Sequence, residues 1–236
     1  MSVAILVPVL ARPKRARPLY ESVRDATPPG HARIVFLCSP GDDAEIKACH
    51  KVKKAQTIVV PFDRAPGDYS RKVNYGVRAT EEDWLFQGAD DLRFHHEWLS
   101  AALRAALNGV RRRVVGTNDL GNRLVVRGRH STHSLVHRSY IEEVGTGDEP
   151  GKMLHEGYHH NFCDTELVQG AMWRHEFAPA IGSIVEHLHP HWKKGDMDAT
   201  YRLGLSEYEA DRRLFMMRRR IWRARADKGG RAGGVG

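Results

Sequence analysis

Strands alternate with helices along the first half of this chain, which predicts an α/β fold: a mostly parallel sheet flanked by helices. Two patterns carry the prediction. Residues 3–9 form a short apolar, β-branched run of the kind that fills a strand buried on both faces. Shorter runs follow at 33–38, 57–60 and 84–86, with helical stretches between them.

The elements follow in order. After the first strand, Pro13 and Pro18 bracket a basic loop, and Leu19 and Val23 open a helix that Pro28-Pro29-Gly30 ends. Beyond the second strand, Pro40-Gly41-Asp42-Asp43 reads as a turn feeding a helix through Val52. Residues 69–79 are helical and lead into the fourth strand. Trp98, Leu99, Ala102, Leu103, Ala106 and Leu107 then recur at helical spacing, and Val114-Val115 opens another strand. The second half is less regular. Residues 123–127 and 134–136 read as a strand pair, 139–144 as a short helix and 145–161 as a long loop. Residues 165–173 read as a helix, 181–188 as a strand and 206–225 as a basic helix packing through Leu214, Met217 and Ile221. The Gly-rich end, 229–236, is expected to be disordered.

Composition excludes several classes. Of 236 residues, 41% are hydrophobic and 28% charged, which suits a soluble globular chain. The longest apolar run, residues 3–11, is too short to cross a bilayer and has no signal-peptide flanks. Cys38, Cys49 and Cys163 are scattered, as expected in a reducing cytoplasm. The net charge is +8, but residues 206–236 hold +5 of it and residues 1–205 only +3. That split divides the chain into an α/β domain, 1–205, and a basic C-terminal helix with its tail, 206–236.

Ligands of open α/β sheets bind beyond the carboxyl ends of the strands, so residues 10–17, 61–68 and 88–92 are the first candidates. Gly88-Ala89-Asp90-Asp91 ends the fourth strand, and paired carboxylates there call for a cation or for solvation as a turn. Ten of the 14 histidines lie between 130 and 191, among them the alternating His187, His189 and His191. Imidazoles so placed are either metal ligands or packed side chains. Asp164 or Thr165 opens a helix, as its N-cap or as a general base held at its start. Arg71, Lys72 and Asn74 begin another, where cations suit a diphosphate or simply face water.

Taken in order, these motifs resemble family 2 glycosyltransferases of the GT-A fold, most closely those encoded by bacteriophages of actinobacteria. The resemblance rests on Ile5-Leu-Val-Pro-Val9 with Arg12-Pro13, Lys72-Val-Asn74-Tyr-Gly76, Gly88-Ala-Asp90-Asp91, Cys163-Asp164-Thr-Glu166 and Glu186-His187-Leu-His189-Pro190. It implies a Rossmann-like GT-A domain that moves a sugar from a UDP- or GDP-sugar to an acceptor hydroxyl with inversion. Pro8, Val9, Arg12, Lys72, Asn74 and Asp90 would meet the donor. Asp90 and Asp91, with His187 or His189, would hold Mn²⁺ or Mg²⁺, and Asp164 would be the base. The family's acidic turn after the second strand reads Cys38-Ser39-Pro40-Gly41-Asp42 here, so Asp63 is the substitute for contacting the nucleotide. The implied acceptor is a protein or glycan, including a virion protein, and the implied location is the cytoplasm, that of the host for a phage enzyme. Other readings are a sugar nucleotidyltransferase, a zinc hydrolase, and a nucleic-acid or capsid binder using Arg218-Arg219-Arg220, Trp222 and Arg223.

Overall fold

Strand β1 (Val3–Pro8) shows why this chain builds a two-sided sheet. Its side chains alternate between faces, so Val3, Ile5 and Val7 enter one core while Ala4 and Leu6 enter the other. The computed structural model describes residues 2–65 and 67–230, with side chains to residue 220.

Helix α1 (Ala16–Ala26) returns the chain to β2 (Ala32–Cys38), which pairs parallel to β1. Asp42 caps α2 (Asp43–His50) by accepting from the Glu45 N–H, and β3 (Gln56–Val59) extends the parallel set. Helix α3 (Asp68–Arg78) crosses to β4 (Trp84–Gln87), on the other side of β1. The strand order therefore reverses at β1, which opens a crevice beyond its carboxyl end. Next come β5 (Leu92–Phe94), α4 (Trp98–Leu107), β6 (Val114–Asn118) and α5 (Arg123–Val126). They are followed by β7 (Ser134–His137), α6 (Arg138–Glu143), α7 (Cys163–Trp173) and β8 (Phe177–His187). A 3-10 turn (Pro190–Trp192), α8 (Ala199–Ser206) and α9 (Tyr208–Gly230) complete the order.

The eight strands run β3-β2-β1-β4-β7-β6-β8-β5. The β1–β4 half is parallel, and β6 also pairs parallel to β8, whereas β7 runs against both β4 and β6. One core holds Leu19, Val23 and Trp98 from α1 and α4; the other holds Val73, Tyr140, Leu167 and Phe215 from α3, α6, α7 and α9.

The structure departs from the sequence reading in several elements. Residues 123–126 form a helix, not a strand. Asp119 accepts from the Gly121 and Asn122 N–H groups, and Asn122 caps the next turn at the Leu124 N–H. Leu124 and Val126 are left exposed, so the apolar run is no buried strand. Helix α7 begins two residues earlier than expected, with Phe162 at its N-cap in a left-handed conformation, so Asp164 lies inside the first turn. Strand β5 and helix α8 went unrecognised, being short and weakly patterned. Helix α9 is held by Leu214, Phe215 and Arg218, while Met217 is exposed. The side chains of Ile221, Trp222 and Arg223, and residues 231–236 of the Gly-rich end, lie outside the described residues.

Candidate active site

A cavity of about 680 Å³ opens at the carboxyl ends of β1 and β4. Its charged end is built from the loop after β1, the Asp90-Asp91 turn and α8. Gly88 lets that turn pass close to β1, since a Cβ there would lie 2.8 Å from the Leu6 carbonyl oxygen. Arg12 donates to Asp90 at 3.0 Å and to both Asp198 oxygens at 2.8 Å. Its guanidinium also stacks 4.2 Å from the Tyr201 ring centroid. Arg15 lies 3.7 Å from both Asp90 and Asp91. Asp91 accepts from the Tyr201 hydroxyl and faces His187 Nε2 at 3.1 Å.

Two guanidiniums thus answer three carboxylates, Asp90, Asp91 and Asp198, in a largely buried cluster. Burial and the neighbouring Asp91 push the Asp90 carboxyl above the usual carboxylate range, against the pull of Arg12 and Arg15. Burial would raise Asp91 too, but His187 and Tyr201 hold it well below the usual carboxylate range. Burial drives His189 down to about 4, which keeps its imidazole neutral.

This arrangement bears on a divalent cation. Its donors, carboxylates beside imidazoles, are of the type that Mn²⁺ and Mg²⁺ accept, and His187 Nδ1 is buried without a partner. Among the described residues, however, no three His, Cys, Asp or Glu side chains form a ready metal cage. Such a set fits a cation that shares its shell with substrate phosphates.

The other end of the cavity is lined by imidazoles. Asp164 accepts from the Thr165 N–H at 2.7 Å and faces His130 Nε2 at 3.4 Å. Burial opposes ionisation of Asp164, but His130 and the Thr165 N–H reverse that and keep its carboxyl below the usual range. The loop preceding α7 is fixed from α9, where buried Asp211 accepts from the His159, His160 and Asn161 N–H groups. His133 packs perpendicular to His187 with ring centroids 4.9 Å apart, and burial drives it down to about 4.

Of the sequence candidates, Pro8, Val9, Arg12, Lys72, Asp90, Asp91, Asp164, His187 and His189 all line this one cavity. Lys72 is nonetheless engaged within the protein, donating to the Val9 carbonyl at 2.9 Å and pairing with Asp68 at 3.0 Å. Asn74 and Asp63 do not line it. Buried Asn74 bonds to the backbone of Met153 and Leu154, bracing the long loop, and the Asp63 carbonyl accepts from Arg71. Gln87, His130, His133, Arg15, Asp198 and Tyr201 were missed. The concentration of histidines after residue 130 was the available signal for two of them; the others owe their place to folding. In the basic helix, Arg218 is bound to Glu166 and Glu149.

This architecture is a GT-A fold, a mixed, mostly parallel sheet with its ligand crevice at the strand ends. No protein family and no curated protein matches the sequence. Among solved structures, the chain is similar to glucosyl-3-phosphoglycerate synthase from Mycobacterium tuberculosis in complex with Mn²⁺, UDP and phosphoglyceric acid. That match has a TM-score of 0.58 and 13% identity, over 89% of this chain and 78% of that one. It is also similar to S. aureus TarS 1-349 in complex with UDP, with a TM-score of 0.59 and 11% identity, over 75% of this chain and 57% of that one. A third likeness is to mannosyltransferase PcManGT from Pyrobaculum calidifontis in complex with GDP-Man and Mn²⁺. Its TM-score is 0.50 with 12% identity, over 63% of this chain and 49% of that one. The chain spans about half the length of the TarS and mannosyltransferase chains. Identities this low establish the fold alone.

Proposed function

We propose that the chain is a metal-dependent glycosyltransferase that moves a sugar from a UDP- or GDP-sugar to an acceptor hydroxyl, with inversion. One observation carries the reading. A carboxylate–imidazole pair, Asp91 with His187, and a second acidic residue held by its own imidazole, Asp164 with His130, line one cavity of a GT-A fold. The neighbours support it, since their structures hold UDP or GDP-Man, two of them with Mn²⁺.

In this reading the loop of Pro8, Val9 and Arg12 receives the nucleotide, and Arg12 and Arg15 turn their guanidiniums to its diphosphate. Asp90 and Asp91, with His187 or His189, would hold Mn²⁺ or Mg²⁺. When bound, that cation neutralises the charge that develops on the leaving diphosphate. Asp164, ionised at neutral pH, accepts the proton of the attacking hydroxyl; His130 keeps its carboxylate oriented. The acceptor oxygen bonds to the anomeric carbon as the carbon–phosphate-oxygen bond breaks, and the electron pair leaves with the diphosphate. The acceptor hydroxyl belongs to a protein or a glycan.

The test is turnover of UDP-glucose, UDP-N-acetylglucosamine and GDP-mannose with Mn²⁺, read as release of the nucleoside diphosphate. Release by the wild type and its loss in Asp164→Asn are expected. A variant as active as the wild type removes Asp164 from the mechanism; a wild type inert toward all three removes the reading.

A further inference from the structure

Four residues lining this cavity carry a buried polar atom without a partner: Asp68 Oδ1, Gln87 Oε1, His133 Nε2 and His187 Nδ1. Gln87 and His133 are the uncharged ones outside the proposed metal set. Gln87, at the end of β4, is 1% exposed, and its side-chain oxygen Oε1 makes no hydrogen bond. His133 is 5% exposed, and its Nε2 likewise makes none. Buried polar atoms are nearly always paired, so orphans gathered in one cavity point to something that enters it.

Their chemistry is defined by what surrounds them. His133 Nδ1 lies 3.0 Å from the backbone carbonyl of Gln87. A carbonyl only accepts, so Nδ1 carries a proton, and in the neutral imidazole Nε2 then presents a lone pair. The Gln87 amide lies beside the Tyr69 hydroxyl, which itself donates to the Gly88 carbonyl at 3.0 Å. These two orphans are thus a side-chain amide oxygen and an imidazole nitrogen, both acceptors, on two residues joined through the backbone carbonyl of Gln87.

Their position is equally specific. The His133 ring stands against His187, which contacts Asp91. His130, three residues earlier in the chain, faces Asp164. The acceptor pair is therefore flanked by the diphosphate side of the cavity and by the proposed base. A group there needs O–H donors and no negative charge.

We propose that Gln87 and His133 form the subsite for the hydroxyl groups of the transferred sugar, and that this sugar is neutral. The proposal rests on the transferase reading above. A site built to bond a hydroxyl discriminates sharply against a ligand that lacks it, because its buried acceptors are then left unpaired. Gln87 and His133 are thereby specificity determinants.

The experiment is calorimetry of UDP, UDP-glucose, UDP-N-acetylglucosamine, GDP and GDP-mannose with Mn²⁺. The proteins are wild type, Gln87→Met, which keeps the volume of the strand end, and His133→Phe, which keeps a ring. Wild type is expected to hold at least one nucleotide sugar more tightly than its bare nucleotide. Each variant should then lose roughly tenfold in affinity for that sugar nucleotide, while the bare nucleotide stays within about twofold. Equal losses for both ligands, no loss for either, or no sugar-dependent gain in the wild type overturns the subsite and leaves the pair to a buried water. A wild type that binds none of the five ligands overturns the transferase reading, and the subsite falls with it.

Discussion

The two ends of the cavity differ in how their groups are held, although His187 Nδ1 at the charged end is bare as well. At the charged end, Asp90, Asp91 and Asp198 are each matched by Arg12, Arg15, His187 or Tyr201. At the imidazole end, the His133 ring is fixed by one hydrogen bond to the Gln87 backbone, and the side chains of both residues leave an acceptor bare. The charged end owes its shape to ion pairs that an incoming anion and cation must re-sort. The imidazole end is already arranged, with its orienting bond made to the backbone. The first is suited to gripping charge and the second to reading shape.

That contrast can be broken experimentally. Asp164→Asn removes the proposed base and is expected to slow transfer roughly a thousandfold, with nucleotide affinity unchanged in calorimetry. Asp91→Asn should reverse the pattern, lowering Mn²⁺-dependent nucleotide affinity several hundredfold. If either variant shows the other's pattern, the division between the two ends is wrong. Arg218→Met, at a residue that does not line the cavity, leaves buried Glu166 without its guanidinium and should cost about 3 kcal/mol in urea unfolding, with nucleotide affinity intact. Asp211→Asn should cost about 1–2 kcal/mol at pH 7, since it weakens the acceptor of three backbone N–H groups. Those bonds hold the Asp211 carboxyl below the usual range against burial, so its contribution is full above the unfolded pKa and fades as pH falls through the folded one. The gap between Asp211→Asn and wild type should therefore narrow below about pH 4, measured by unfolding across pH.

The same two ends differ in how far they could be read from sequence. Asp90, Asp91 and Arg12 were legible because they follow buried strands, where the topology of α/β sheets places ligands. Their partners were not: Tyr201 reaches Asp91 across 110 residues, and Asp198 reaches Arg12 across 186. Asn74 and Lys72 were expected at the donor from the resemblance. Folding directs Asn74 to the backbone of the 153–154 loop instead, while Lys72 lines the cavity with its ammonium held by the carbonyl of Val9. Residues 123–126 looked like a strand because Leu124-Val125-Val126 is apolar, yet the Asp119 and Asn122 side chains supply the turn and cap that make it helical. Gln87 carried no signal at all, since an unpaired acceptor becomes visible only when every neighbour is in place.

The central claim is that the charged end takes a nucleoside diphosphate together with a divalent cation. Calorimetry of UDP and GDP, each with and without Mn²⁺, tests it most directly. The account predicts that at least one nucleotide binds more than tenfold tighter with Mn²⁺, and that Asp91→Asn abolishes the difference. Binding of neither nucleotide under either condition, or equal binding with and without the cation, would contradict it.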